Sequence, residues 1–577
     1  MANKLELTWA DKDKANNPEP RLLIENPELS YSRDSSSLIN EDIFDNSLIH
    51  GDNLLALKAL LPQYAGKVKC IYIDPPYNTG NAFEYYDDNK EHSIWLGLMY
   101  PRLKILKNLL KEGGSIWVSI DDIESHRLRM LLDEVFGIDS FVADITYERS
   151  GSAGLGQGGL FVNNSEHILV YSKGVFQYNN VLGSSPLELK TMKRYNKILI
   201  SEGEKELIRE FTSKSNGTPV RIYKHQGFKI SSISLKNFET NEKDIRRQFL
   251  ENFEHLFRTN NVQKENEFQN DLMSEMDKTS LYTVDYIPSR GKYKDKLTTL
   301  YYYNAELFAW LKDTAYIEDN KIVKTNKLTT VWRHEEIPKA DLANEGGVDF
   351  PRSKKPEQLI KRILEIATNE GDLVLDSFLG SGTTAAVAHK MHRKWIGVEM
   401  GDHAYSHCKT RLDNVINGND LIGVTKSTNW LGGGGYKFYE LAPTLINKDS
   451  FGEPIINKEY NPDMLAAAVA LHEGFSYLPD SSLFWKQSKS NETAYLFVTT
   501  KHVDINMLKT IKNTMAEDEF LVIACKSFDN ECRDFSKQIT IKKIPQMLLG
   551  KCEYGKNDYN LNVINPPIYN EEEEQDE

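Results

Sequence analysis

Asp74-Pro75-Pro76-Tyr77 is the first place in this chain where chemistry could be done. It follows Val68–Ile73, an apolar, β-rich run that reads as a buried strand, and two consecutive prolines cannot continue a strand ladder. The chain must turn out of a sheet there, at a carboxyl end, where doubly wound sheets bind ligands. A carboxylate, a carbonyl whose following residue carries no amide hydrogen, and an aromatic face meet at this turn. That set suits a planar base bearing an exocyclic amine: Asp74 and the Pro75 carbonyl accept the two amine hydrogens, and Tyr77 stacks on the ring. Taken alone, Asp-Pro-Pro is an ordinary turn, since both residue types favour turns. Tyr77 and the strand before it favour the functional reading.

The second set is Leu373–Asp376 followed by Ser377-Phe378-Leu379-Gly380-Ser381-Gly382-Thr383. A strand runs into a glycine turn that opens a helix, and Gly380 and Gly382 let backbone come close to a ligand. Glu399 follows Asp376 by 23 residues, at the end of the next strand, where an acid commonly meets ribose hydroxyls. The turn is not the dinucleotide GxGxxG, and the Lys-Ser/Thr of a phosphate-binding loop is missing. A nucleoside cofactor without a pyrophosphate fits better, and S-adenosylmethionine is one. His389, His392, His403, His407 and Cys408 cluster in sequence but match no zinc spacing, so no metal is expected.

The elements that must position these residues alternate. Leu54–Leu61 reads as a helix and Val68–Ile73 as a strand. A helix with Met99, Leu103, Leu106 and Leu110 on one face is expected to end at Gly113-Gly114. Ser115–Ile120, Ile123–Phe136 and His167–Tyr171 continue as strand, helix and strand. From about 176 to 330 the alternation fails, and that segment reads as irregular. It resumes with Leu359–Ala367, Leu373–Asp376, Thr383–His392 and Trp395–Glu399. This is the pattern of an α/β parallel sheet. Gly432–Gly435 is the best linker candidate.

Of 577 residues, 40% are hydrophobic and 27% charged, which excludes a disordered chain, a collagen or a small disulfide scaffold. The amino-terminal residues carry no apolar signal segment, and runs such as Met464–Leu471 are too short to span a bilayer. Five cysteines without a CxxC fit a reducing cytoplasm. The net charge of −14 argues against a nucleic-acid binder, but its distribution reverses that: residues 151–250 carry +6, residues 1–50 carry −5 and residues 441–577 carry −8. Lys292, Lys294 and Lys296 interleave with Tyr293 near Tyr301–Tyr303, as a DNA contact or a solvated loop.

FLGSGTT and DPPYNTG together resemble the cofactor and catalytic motifs of DNA amino-methyltransferases. The catalytic motif comes first, as in the permuted β class, and Asp before Pro-Pro-Tyr resembles the adenine-N6 enzymes more than the cytosine-N4 ones. Arg352–Leu359, with Lys354 and Pro356, resembles the lead-in helix at the methionine end of the cofactor. His50–Asn53, with Asp52 and Asn53, resembles the strand end near its adenine, and Ser165–Lys173 the family's last strand. The long amino-terminal arm and separate carboxyl-terminal domain resemble the modification subunit of type III restriction–modification systems.

The resemblance implies a permuted doubly wound, Rossmann-like methyltransferase sheet with an inserted target-recognition domain and a carboxyl-terminal α/β domain. The expected organisation is an arm at 1–45, a catalytic half at 46–175, target recognition at 176–340, and a cofactor half at 341–431. A glycine linker at 432–440 and an acidic-tailed domain at 441–577 follow. The implied activity is S-adenosylmethionine-dependent, adenine-N6 methylation of double-stranded DNA, by a homodimer with a separate helicase–nuclease partner and no membrane. A cytosine-N4 enzyme, an RNA or protein-glutamine methyltransferase and a non-catalytic specificity subunit are the rivals.

Overall fold

The computed structural model describes residues 6–9, 12, 17–33, 46–78, 92–150, 161–261, 266–290, 293–337, 342–350, 354–491 and 493–559. They fall into two compact units, one formed by Met1–Asn180 with Thr329–Glu577 and the other by Val181–Leu328.

The first unit is built on one large sheet. Its strands are β1 (Leu23–Glu25), β2 (Tyr31–Ser32), β3 (Ser47–His50), β4 (Val68–Ile73), β5 (Leu110–Ile120), β6 (Phe141–Glu148), β7 (Ser165–Ser172), β8 (Val331–Trp332), β9 (Leu373–Asp376), β10 (Lys394–Glu399) and β11 (Gly435–Leu441). The order across the sheet is β1-β11-β3-β10-β9-β4-β5-β7-β6-β8, with β2 also on β11. From β11 to β5 the pairs are parallel, and β5–β7 and β7–β6 are antiparallel.

Helices α1 (Asn53–Tyr64), α2 (His92–Leu109) and α3 (Asp122–Phe136) cover one face; α4 (Glu357–Ala367), α5 (Thr383–Lys390) and α6 (Lys409–Asn417) cover the other. That two-sided cover explains the unbroken apolar run of β4: Cys70 and Tyr72 enter the core with Ile360 and Ile363, while Ile71 and Ile73 enter the core with Leu57, Met99 and Leu128. Asp52 caps α1, accepting from the amides of Leu54 and Leu55 at 2.8 and 3.2 Å.

Several expectations are corrected. The helix of Met99 ends at Leu109, and Gly113 and Gly114 lie inside β5, where the register against β4 shifts. A Cβ at Gly114 would sit 2.8 Å from the Lys69 carbonyl, so glycine is there for close backbone approach. The helix after the glycine turn stops at Lys390 rather than His392, whose φ is +58°. The arm is not irregular throughout: Leu23–Glu25 and Tyr31–Ser32 pair with β11.

The glycine linker is also overturned. Gly435 begins β11, which pairs with β3 inside the sheet, and Gly432 has φ +98° with a Cβ position 2.8 Å from the Ile416 carbonyl. These glycines are required by packing, not by slack. Residues 443–559 hold a smaller sheet in which Ala494–Val503, Phe520–Phe528 and Ile539–Lys543 run parallel. The acidic run Glu571–Glu577 lies outside the described residues.

The segment expected to be irregular contains the second unit, which is rich in antiparallel strands. Eight strands form one sheet and three another. The pattern was hard to read because Glu204–Thr212 exposes side chains on both faces, and three consecutive tyrosines, Tyr301–Tyr303, mask any alternation in their strand. Lys294 is exposed in the loop before that strand, and Lys292 is outside the described residues.

Gly432→Ala separates a packed turn from a linker. Strain at φ +98° and a methyl against a backbone carbonyl are expected to cost about 1–3 kcal/mol. Chemical denaturation should show a lower midpoint. An unchanged midpoint would restore the linker reading.

Candidate active site

Parallel pairing of β4 with β9, Val374 opposite Cys70 and Leu375 opposite Ile71, brings their carboxyl ends side by side. From β4 the chain winds towards β5, and from β9 towards β10, so this is the switch point of the sheet. A cleft of about 840 Å³, its open mouth included, lies there. Asp74, Pro75, Pro76, Tyr77, Asp376, Phe378, Gly380 and Thr383 all line it, with Tyr72, Arg149, Glu166, Phe350, Lys355, Leu379, Ser381 and Thr384.

The catalytic side is held from several elements. The Trp95 indole of α2 donates to the Pro76 carbonyl at 2.8 Å and fixes the turn. The Tyr77 hydroxyl donates to Glu166 Oε2 of β7 at 3.1 Å. Lys355 Nζ donates to the Tyr77 oxygen at 2.6 Å and to Glu166 Oε2 at 2.9 Å, and stands 3.3 Å from Asp74 Oδ1. Arg149 Nε is 3.6 Å from Glu166 Oε1. Asp74 Oδ1 is itself buried and accepts no hydrogen bond.

Burial pushes the Asp74 carboxyl up to about 6, with Lys355 pulling it down and Glu166 pushing it further up. Burial acts on Glu166 in the same sense, but Lys355 and Arg149 overcome it and hold that carboxyl below its ordinary range.

The glycine turn is braced from behind. Asp376 accepts from the Phe378 amide at 2.9 Å and from the Thr384 hydroxyl at 2.6 Å. Burial drives its carboxyl up to about 7 against those two bonds, and the negative charges of Asp74 and Glu399 add to the rise. Arg411 of α6, fully buried, donates to Thr383 Oγ1 at 2.8 Å and to Glu357 Oε1 at 2.7 Å. Glu357 also takes Lys390, which reaches Asp420 at 2.6 Å.

Six of the expected site residues do not line the cleft. Glu399 is buried and accepts from the amides of Gly380, Met400 and Gly401 at 2.7, 2.8 and 3.1 Å, with His403 at 2.8 Å. These bonds tie it to the back of the glycine turn. Gly382 starts α5 at φ +84°, where a Cβ would meet Cys408. Lys354 donates to the Val348 carbonyl at 2.9 Å, and burial lowers its ammonium to about 8. Pro356 caps α4, which starts at Glu357. Asp52 is taken up by α1 and Arg102, and Asn53 donates to the Ser377 carbonyl at 2.7 Å.

Conversely, Lys355, Glu166, Arg149 and Phe350 were missed. An acid two residues ahead of the apolar run Ile168–Tyr171 was the available signal for Glu166, and the Lys354-Lys355 pair left open which of the two faces inwards. Among the described residues no group of three His, Cys, Asp or Glu could hold a metal, and no helix is long and apolar enough to cross a membrane.

A sequence profile described as DNA methylase matches residues 68–410, more than half of the chain and both sides of the cleft. The chain belongs to the DNA methylase family. The chain is 38% identical over 418 residues to the "Probable type III restriction-modification enzyme HindVI Mod subunit" of Haemophilus influenzae, covering 69% of this chain and 54% of that one. It is 26% identical over 520 residues to the type III restriction-modification enzyme EcoP15I Mod subunit of Escherichia coli, covering 80% and 74%. The match thus spans about half the length of the first relative. Among solved structures, the M1.HpyAVI–SAM complex covers 64% of this chain and 98% of that one at 13% identity and a TM-score of 0.27, too slight a likeness to bear on the fold.

The raised carboxyl of Asp74 has a consequence for stability. A group whose folded value of about 6 exceeds its unfolded value of 3.8 contributes stability below the unfolded value and loses it as pH rises through the folded one. Asp74→Asn removes that loss. The stability of the variant relative to wild type should therefore rise between about pH 4 and pH 7, by more than about 1 kcal/mol. Urea unfolding at stepped pH measures it, and a difference that is flat or falls with pH contradicts the assigned environment.

Proposed function

We propose that this chain is the modification subunit of a type III restriction–modification system: a DNA adenine-N6 methyltransferase that uses S-adenosylmethionine. The observation that carries the proposal is the meeting, in one cleft, of Asp74–Tyr77 with the Asp376–Thr383 turn. In this reading the sheet is the permuted doubly wound arrangement of the β class. The strand carrying the catalytic motif precedes the cofactor strand in sequence and neighbours it in space.

The residues present fit the cofactor. Gly380 has φ +57°, and among the described residues a Cβ there would meet only Phe350 Cε1, at 4.0 Å, so open space adjoins the backbone. The hydroxyl of Ser377 is buried without a hydrogen-bond partner. Asp376, Phe378, Gly380 and Thr383 would hold the bound nucleoside. When bound, the cofactor supplies a sulfonium-activated methyl group.

The remaining chemistry belongs to the chain. A target adenine must leave the duplex stack to reach the cleft. Asp74, whose Oδ1 is an open acceptor, and the Pro75 carbonyl take hydrogen bonds from the N6 amine and orient its lone pair. Tyr77, pinned by Lys355 and Glu166, offers its ring. Catalysis is placement plus stabilisation of positive charge on N6, and Asp74 need not be a strong base because a methylated amine becomes acidic.

The second unit suits target recognition: Val181–Leu328 carries 25 Lys and Arg against 21 Asp and Glu in a chain of net charge −14. Reading a sequence requires side chains in a groove and contacts to phosphate. Cutting is assigned to a separate helicase–nuclease subunit, and the methyltransferase is taken to work as a homodimer.

Two variants test the division of labour. Asp74→Ala should lower methyl transfer to genomic DNA by more than about 100-fold, with cofactor affinity by calorimetry near wild type. Gly380→Val, a branched side chain at φ +57°, should instead weaken cofactor binding. Transfer above a tenth of wild type in the first, or unchanged affinity in the second, contradicts the assignment.

A further inference from the structure

We infer that Lys355 is a positioning residue that acts through Asp74: its ammonium holds Asp74 ionised while its hydrogen bonds go elsewhere, and Glu166 limits that pull. The inference rests on the methyltransferase reading of the cleft. Lys355 belongs to neither the Asp74 turn nor the glycine turn but to the Arg352–Leu359 segment, where the resemblance singled out its neighbours Lys354 and Pro356. It precedes α4, and its side chain is 13% exposed, beside Asp74 at 21% and Glu166 at 5%.

The geometry separates this from an ordinary salt bridge. Lys355 Nζ directs hydrogens to the Tyr77 oxygen at 2.6 Å and to Glu166 Oε2 at 2.9 Å. Asp74 Oδ1, only 3.3 Å from the same nitrogen, accepts no hydrogen bond. Asp74 therefore feels the positive charge but keeps an acceptor open. A lysine bonded to that oxygen would ionise Asp74 equally well but occupy one of its acceptor sites. The opposite arrangement, with no cation, would leave a buried carboxyl protonated at neutral pH, able to donate where it must accept.

The other groups facing Asp74 cannot replace Lys355. Tyr72 of β4 shares its hydroxyl with Ser119 at 2.8 Å, and Tyr77 is held as a neutral phenol by burial and by Asp74 and Glu166. Glu166 is a negative neighbour that opposes ionisation. Arg149 lies against the far oxygen of Glu166, Oε1, at 3.6 Å, where it offsets that charge and not the charge of Asp74. Once a methyl group is on N6, the surplus proton of the nitrogen can pass to the ionised Asp74 and from there to water.

Opposite shifts are the signature. The acid limb of kcat/KM reports groups of the free enzyme. Lys355→Met should move that limb up by more than about one pH unit, lowering the rate at pH 7 at least about twofold, with recovery at higher pH. Glu166→Gln should move it down, and Lys355→Arg should return it most of the way. A readout independent of turnover is carbon-13 NMR of carboxyl-labelled aspartate in the full chain without DNA or methyl donor, with Asp74→Asn identifying the resonance. Its titration midpoint should rise in Lys355→Met and fall in Glu166→Gln.

Midpoints that stay put, or that move the same way in both variants, overturn the inference. If Lys355→Met does not fold, Glu166→Gln and Lys355→Arg still decide it by the direction of their shifts. A wild-type chain that transfers no label to DNA overturns the methyltransferase reading instead, and leaves the titration to judge the lysine.

Discussion

The parallel pairing of β4 with β9 is the constraint on which the rest depends. Asp74 and Asp376 are far apart in sequence, and nothing but the register of these two strands brings them to one cleft. Both strands are buried on both faces, so a slip of one residue would move Tyr72 and Cys70 into the wrong core and pull the two strand ends apart. The helices that pack on either side are therefore part of the site, although few of their side chains touch it.

Around that seam the chain gathers charge on largely buried side chains. Asp74, Glu166 and Asp376 face the cleft, and Lys355 is the cation among the first two. Behind the glycine turn, Glu357, Lys390, Arg411 and Asp420 form a fully enclosed lattice. Such lattices add little net stability, because desolvation opposes the attraction, but removing one member leaves another uncompensated. Their effect here is geometric. Arg411 spans from Glu357 to the hydroxyl of Thr383, so the turn is fixed from the inside before any ligand arrives.

Much of this was legible in the sequence, and the exceptions have physical reasons. The strand ends were readable because double prolines and paired glycines punctuate a chain in only a few ways. The surroundings of acids were less so: Glu399 has the spacing of a ribose ligand, and the three backbone amides that also bond it could not be read from spacing. Spacing says where a carboxylate sits, not which donors surround it. The run Gly432–Gly435 misled for the same reason, since glycine serves slack and close packing alike. Lys355 stood in the Arg352–Leu359 segment, but its contacts with Glu166 of β7 and with Asp74 join elements that no local pattern connects. In the second unit Glu204–Thr212 hid because it is exposed on both faces.

The central claim is that the β4–β9 seam methylates adenine in DNA. Mapping modified bases across the genome of a host lacking such marks, with this chain, without it and with Asp74→Ala, tests that claim most directly. N6-methyladenine gained in one sequence context with the intact chain, and absent with the variant, is the predicted result. N4-methylcytosine, no gained mark, or a mark that survives Asp74→Ala would contradict it.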